Sequence, residues 1–124
     1  MKWQIRPELP IYTQLFDQFS MALASGEFPP GTRLPSVRVL AQEAGVNPNT
    51  MQRALHELER AGLVESRRTA GRVVTLDTGS IEQLRRRLAE EQAAGFLSAM
   101  AALGYDRVQT VVLLERLREE NRDT

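Results

Sequence analysis

The chain has no cysteine, one histidine, one lysine and few aromatic residues, 6% of 124. Without cysteine there is no disulfide, no thiolate zinc site and no cysteine nucleophile. The single histidine, His56, has only Glu57 and Glu59 as acids nearby in sequence. A catalytic triad or a metal cage needs more convergent groups than that, so His56 reads as a surface residue of a helix. No Gly-rich phosphate loop of the Walker or dinucleotide type occurs. The expectation is a protein that is not an enzyme and has neither cofactor nor metal. No apolar run approaches the ~18 residues of a membrane span, and MKWQIRPELP lacks the apolar stretch of a signal peptide. A cytoplasmic location and no membrane partner follow as expectations.

Against these absences, 42% of the residues are hydrophobic, which supports a packed core and argues against disorder. The length suits one domain, or a small domain with an appendage. Net charge is zero, but it is unevenly placed. Residues 1–76 carry nine basic and seven acidic groups, and residues 77–124 carry seven basic and nine acidic. Fifteen of the sixteen cations are arginine. Arginine favours bidentate contacts to phosphate or guanine, although a GC-rich genome produces the same bias.

Residues 31–60 read as a helix-turn-helix. The first helix spans 37–44 with Ser36 as N-cap, and the turn is centred on Gly45, which supplies the backbone freedom. Asn47 is a good N-cap for the second helix, and Pro48 fits the first helical position, where its missing N–H costs nothing. Leu40, Ala41, Val46, Met51, Ala54, Leu55 and Leu58 fall at helical spacing and form one inward face. Asn47, Asn49, Thr50, Gln52 and Arg53 remain outside at the start of the second helix. A recognition helix presents such groups to base edges and phosphates. The same geometry also occurs as plain packing, with Asn and Thr acting only as caps.

Before this motif, Trp3 and Ile5 suggest a short extended arm. Pro10 then opens a helix to about Ala24, with Ile11, Leu15, Phe16, Phe19, Met21, Ala22 and Leu23 as its apolar face. Phe28-Pro29-Pro30-Gly31 is a rigid connection. After the motif, residues 63–66 and 72–76 form two β-like runs around the turn 67–71. A helix-turn-helix followed by a hairpin is a winged helix. The wing carries Arg67, Arg68 and Arg72, which suit phosphate or minor-groove contact; a solvated, charged hairpin tip is the plainer alternative. Residues 77–79 read as a hinge, and Ser80 with Gln83 as a capping box starting a helix over 81–103. A last helix spans 106–122. The apolar positions of this helical pair exceed what the two helices bury against each other, so either a second copy covers them or they pack back on the wing domain. The fold class is therefore mainly α with a small β-hairpin. Residues 1–76 form an N-terminal winged helix-turn-helix and residues 77–124 a C-terminal two-helix dimerisation unit.

Several runs carry a resemblance: Pro10-Ile11-Tyr12, Ser25-Gly26-Glu27, Pro30-Gly31, Leu34-Pro35-Ser36-Val37-Arg38, Leu40-Ala41, Val46-Asn47-Pro48-Asn49-Thr50, Arg53-Ala54 and Leu58-Glu59. Through them the chain resembles the GntR family of bacterial transcriptional regulators, in the YtrA-type branch whose C-terminal part is only a pair of helices. The resemblance covers 10–76 by motif and 80–122 by size and architecture. It implies a regulator, expected to be a repressor, that binds double-stranded DNA at a palindromic operator as a homodimer. In that branch the target is often a transporter operon. By family pattern, Arg38 is a groove- or base-contacting arginine, Ser36 lies near a phosphate, Asn47, Asn49 and Thr50 open the recognition helix, and Gln52 and Arg53 follow one turn on. Gly71 matches the wing-tip glycine. The wing departs from the usual Gly-x-Gly-Thr-Phe-Val: Thr69 and Arg72 replace the first glycine and the threonine, and Val73 replaces the phenylalanine.

Read by chemistry alone, Arg38, Asn49, Gln52 and Arg53 have the reach for base edges, while Arg33, Ser36, Thr50 and Arg68 are better suited to phosphate. Arg53 has the alternative of pairing with Glu57 four residues on. A protein-interaction adaptor, with the winged helix as a scaffold and the C-terminal helices as the working part, is the rival function. The sequence names no effector; a small molecule would have to bind at the dimer interface or at the 77–79 hinge.

Overall fold

The computed structural model describes residues 1–122. The chain forms two compact units, Met1–Arg86 and a second that begins at Arg87. The first contains α1 (Ile11–Ser25), α2 (Val37–Ala44), α3 (Pro48–Arg60), β1 (Val64–Arg67), β2 (Gly71–Val74) and the opening turns of α4 (Thr78–Ala102). The second contains the rest of α4 and α5 (Arg107–Arg122).

The expected arm is present, and α1 holds it. Gln14 and Gln18 stand one turn apart and hydrogen-bond the extended chain as a neighbouring strand would. Gln4 N donates to Gln18 Oε1 at 3.0 Å, and Gln18 Nε2 donates to Gln4 O at 2.8 Å. Arg6 N donates to Gln14 Oε1 at 2.8 Å, and Gln14 Nε2 returns a bond to Arg6 O at 2.9 Å. This seats the Trp3 ring edge-on to Phe19, with centroids 4.9 Å apart. Pro10 precedes the helix but offers no side-chain cap.

The two helices of the motif begin and end as their punctuation demands. Ser36 Oγ accepts from Val39 N at 3.2 Å, and Asn47 Oδ1 accepts from Asn49 N at 2.8 Å. Between them Gly45 takes φ 69°, in the left-handed region that side chains avoid, so that Val46 N reaches Ala41 O at 3.0 Å. Leu15, Phe19 and Leu23 of α1, Leu40 and Ala41 of α2, and Met51, Ala54, Leu55 and Leu58 of α3 make the core. Met21, expected on the inner face of α1, is exposed, and Ser20 is buried in the core instead. The inward stripe of α1 runs through Leu15, Phe19, Ala22 and Leu23, at helical spacing, and Met21 falls off it.

The hairpin pairs Val64 with Val74 and Ser66 with Arg72 in antiparallel register. A third segment, not expected from the sequence, joins it. Gly31 N donates to Val74 O at 2.9 Å, Val74 N to Thr32 O at 2.8 Å, and Leu34 N to Arg72 O at 2.9 Å. The chain entering α2 thus covers the outer edge of β2, and Leu34, Leu63, Val64, Val73 and Val74 close the core beneath.

The hinge expected at 77–79 is absent. α4 begins at Thr78, three residues before the expected start. Asp77, rather than the Ser80–Gln83 pair, caps it. Asp77 Oδ1 accepts from Gly79 N at 3.0 Å and Ser80 N at 3.3 Å, and Ser80 Oγ donates to Asp77 Oδ2 at 2.9 Å. A carboxylate is the stronger acceptor at the positive end of a helix. These bonds, led by the Ser80 hydroxyl, hold the Asp77 carboxyl below its ordinary pKa. Ile81 and Leu84 of the first turns of α4 are buried.

In the second unit, α5 opens on a reciprocal cap: Gln109 N donates to Asp106 Oδ1 at 2.8 Å, and Asp106 N to Gln109 Oε1 at 2.9 Å. From Arg87 onward, Thr110 is the one buried position among the described residues. Leu103, Val108 and Val112 are 74%, 71% and 63% exposed, so this pair of helices has almost no core of its own. Among the described residues no helix is long and apolar enough to cross a membrane.

Candidate nucleic-acid interface

Packing decides which side chains of α3 are available. Met51, Ala54, Leu55 and Leu58 face the core, which leaves Asn49, Gln52, Arg53 and His56 exposed and Thr50 half-buried. Asn47 uses one acceptor position of its side-chain oxygen for the cap, and its amide NH2 remains to meet a partner. Of these side chains, Asn49 and Thr50 lie in the first turn of α3 and Gln52 and Arg53 in the second, near the end where free backbone N–H groups and the helix dipole favour anions such as phosphate.

Arg53 does not pair with Glu57. Glu57 instead forms an exposed ion pair with Arg60 at 3.5 Å, while the Arg53 guanidinium lies over the Tyr12 ring of α1, 3.7 Å from its centroid. That contact links α3 to α1.

A second group gathers around an open cleft of about 540 Å³ between the start of α2 and the wing. Arg33, Ser36, Gly71 and Arg72 line it, together with Pro35 and Ala70. Arg33 is there because its segment pairs with β2, Arg33 facing Val73. Gly71 has φ 72°, which turns the chain from the tip Arg68-Thr69-Ala70 into β2. Arg38, Asn49, Gln52 and Arg68 lie outside this cleft, on the first turn of α2, the first turns of α3 and the wing tip.

The arginines of this half divide sharply. The side chains of Arg33, Arg38 and Arg68 have no ion pair or hydrogen bond among the described residues. Arg60 and Arg67 sit in exposed pairs with Glu57 and Glu65. Arg72 bonds Glu59 through Nε. Glu59 carries opposing influences: its burial works to raise the carboxyl pKa, and the bonds from Ser66 and Arg72, with the charges of Arg72 and His56, outweigh this and hold it below the ordinary value. Glu59, Ser66 and Tyr12 are site residues that the sequence did not single out, since their partners come from other elements.

Exposed hydrogen-bonding groups on a capped helix, arginines without a side-chain partner among the described residues flanking it, and a wing beside it are the kinds of group from which a DNA-reading surface is built. The model of the family described as bacterial regulatory proteins, gntR family, matches residues 11–74. Two relatives come from Bacillus subtilis (strain 168). The uncharacterized HTH-type transcriptional regulator YhcF is 41% identical over 101 residues, 82% of this chain and 84% of that protein. The HTH-type transcriptional repressor YtrA is 34% identical over 114 residues, 92% and 83% of the two chains. Among solved structures, a GntR family transcriptional regulator from Listeria monocytogenes superimposes with a TM-score of 0.82 at 32% identity, over 90% of this chain and 98% of that one. The DNA-binding domain of AraR in complex with operator ORX1 aligns at 30% identity and a TM-score of 0.51, over 54% of this chain and 81% of that one. The chain belongs to the GntR family, as a regulator of the YtrA type whose winged helix-turn-helix binds DNA and whose relatives named above are transcriptional regulators.

Proposed function

We propose that the protein is a transcriptional repressor that binds a palindromic operator, that of a transporter operon, in the cytoplasm as a homodimer joined through the helices beyond Arg87. The observation that carries the dimer is the exposure of Phe96, Leu103, Val108, Val111, Val112 and Leu117 on helices that bury almost nothing by themselves. Apolar surface of this extent calls for a partner, and a second copy supplies the two-fold symmetry of a palindrome. The repressor role is supported by likeness to YtrA, which bears that description.

In this proposal Arg38, Asn49, Gln52 and Arg53 read base edges, and Arg33, Ser36, Thr50 and Arg68 hold phosphates. Asn47 shapes the start of the recognition helix and Gly71 the wing. Half-sites on one face of the duplex lie roughly 34 Å apart per turn. The test is an anisotropy titration against the promoter of the protein's own operon at two salt concentrations, with Arg38→Ala alongside and sedimentation to give the oligomer. Tight, salt-dependent binding that exceeds random DNA and collapses in the variant supports the proposal. Equal, weak binding to every duplex refutes sequence-specific regulation, and a monomer at micromolar concentration refutes the dimer.

A further inference from the structure

The three arginines of the hairpin have different surroundings. Arg68, at the tip, is exposed and without a side-chain partner among the described residues. Arg67 makes an open pair with Glu65 at 3.3 Å, each side chain 48% exposed. The Arg72 side chain is only 19% exposed, and its Nε donates to Oε1 of Glu59, itself 24% exposed. The same oxygen accepts from Ser66 Oγ at 2.7 Å. Ser66 and Arg72 stand directly opposite each other in the hairpin register. One carboxylate oxygen in the last turn of α3 therefore grips both strands of the wing at a single rung.

The consequence for charge is specific. A phosphate brought to Arg72 would approach the Glu59 carboxylate as well, and taking Arg72 away would leave a half-buried anion without its cation, which is costly. The consequence for geometry is equally specific. A two-stranded ribbon is marginal by itself, and a wing already held in place loses less freedom when it docks.

We propose that Glu59 is a positioning residue for DNA binding: with Ser66 and Arg72 it latches the wing to the recognition helix, Arg72 serves as strut rather than phosphate ligand, and Arg68 is the wing's cation for the DNA backbone. This rests on the reading that the wing meets DNA, and the experiment separates the two. The full chain and its Arg68→Ala, Arg72→Ala and Glu59→Gln variants, with the Glu59→Gln/Arg72→Ala double variant, are titrated with promoter duplex over a salt series. Each lost phosphate contact lowers the slope of log Kobs against log[salt] by about 0.9 per bound chain. The Arg68 variant loses that slope. The Arg72 and Glu59 variants bind more weakly with the slope unchanged, and the double variant is no weaker than Arg72→Ala alone. In the free protein, hydrogen exchange of the wing amides quickens in Glu59→Gln and Arg72→Ala and stays as it was in Arg68→Ala. A slope that falls by about 0.9 in Arg72→Ala, or tighter binding in Glu59→Gln, overturns the latch. If the unaltered protein binds no duplex, the DNA reading fails, and the exchange measurement still decides: unchanged wing protection in Glu59→Gln overturns the latch.

Discussion

Replacing Asn47 removes the oxygen that accepts from Asn49 N at 2.8 Å and so opens the first turn of α3. Loss of such a cap costs about 1 kcal/mol. For a domain near 100 residues that lowers Tm by ~4–8 °C, and the compact unit Met1–Arg86 is of that size. Asn47→Asp keeps the acceptor and adds a negative charge at the positive end of the helix, an interaction favourable by ~0.3–1 kcal/mol. The same charge faces incoming phosphates. Two rank orders follow, and they cross: in stability Asp equals or exceeds Asn, with Ala lowest; in DNA affinity Asn leads, Ala follows and Asp is last. Thermal melts at one fixed protein concentration give the first order, because the proposed dimer would make Tm depend on concentration. Anisotropy titrations on one duplex at one salt concentration give the second. If Asp and Ala fall in the same order in both assays, the integrity of α3 alone governs binding and Asn47 does not lie near phosphate. A melt unchanged by alanine would refute the cap itself.

Arg38→Ala, which removes an exposed, unpaired guanidinium, is expected to weaken operator binding by about 1–3 kcal/mol while narrowing the gap between operator and random duplex; competition titrations with both duplexes check it. Leu55, 1% exposed on the inward face of α3, is expected to cost about 2–5 kcal/mol on truncation to alanine, whereas Met21→Ala, at a position 50% exposed, should change denaturant midpoints little. The depressed carboxyl pKa of Glu59 gives a sign to the acid limb: its contribution to stability is complete above the ordinary value of 4.5 and is lost as pH falls through the lower folded value. The stability difference between the parent and Glu59→Gln is therefore constant at neutral pH and shrinks below 4.5; a difference that grows on acidification would contradict the assignment.

Much of this molecule is local in origin, and that part was legible. Ser36, Gly45, Asn47 and Pro48 set α2 and α3 because caps and left-handed glycines act within one turn of the chain. The apolar spacing of Leu55 and Leu58 fixed which face of α3 turns inward, and so left Asn49, Gln52 and Arg53 outside. At α4 the sequence pattern pointed to Ser80 as the cap and to 77–79 as a hinge, whereas in the structure the Asp77 carboxylate is the cap. What the sequence could not contain is pairing across distance. The third segment of the wing joins Gly31 to Val74, Arg53 lies on Tyr12 from another helix, and Glu59 binds two residues that only the hairpin register brings side by side. Each depends on the fold having closed first, since a hydrogen bond or ring contact has a reach of a few ångströms and the chain between the partners is free to place them anywhere. The sequence by itself determined α2 and α3, their caps and the polar edge of α3. Only the tertiary structure decided which arginines are held by a carboxylate or a ring and which stand free.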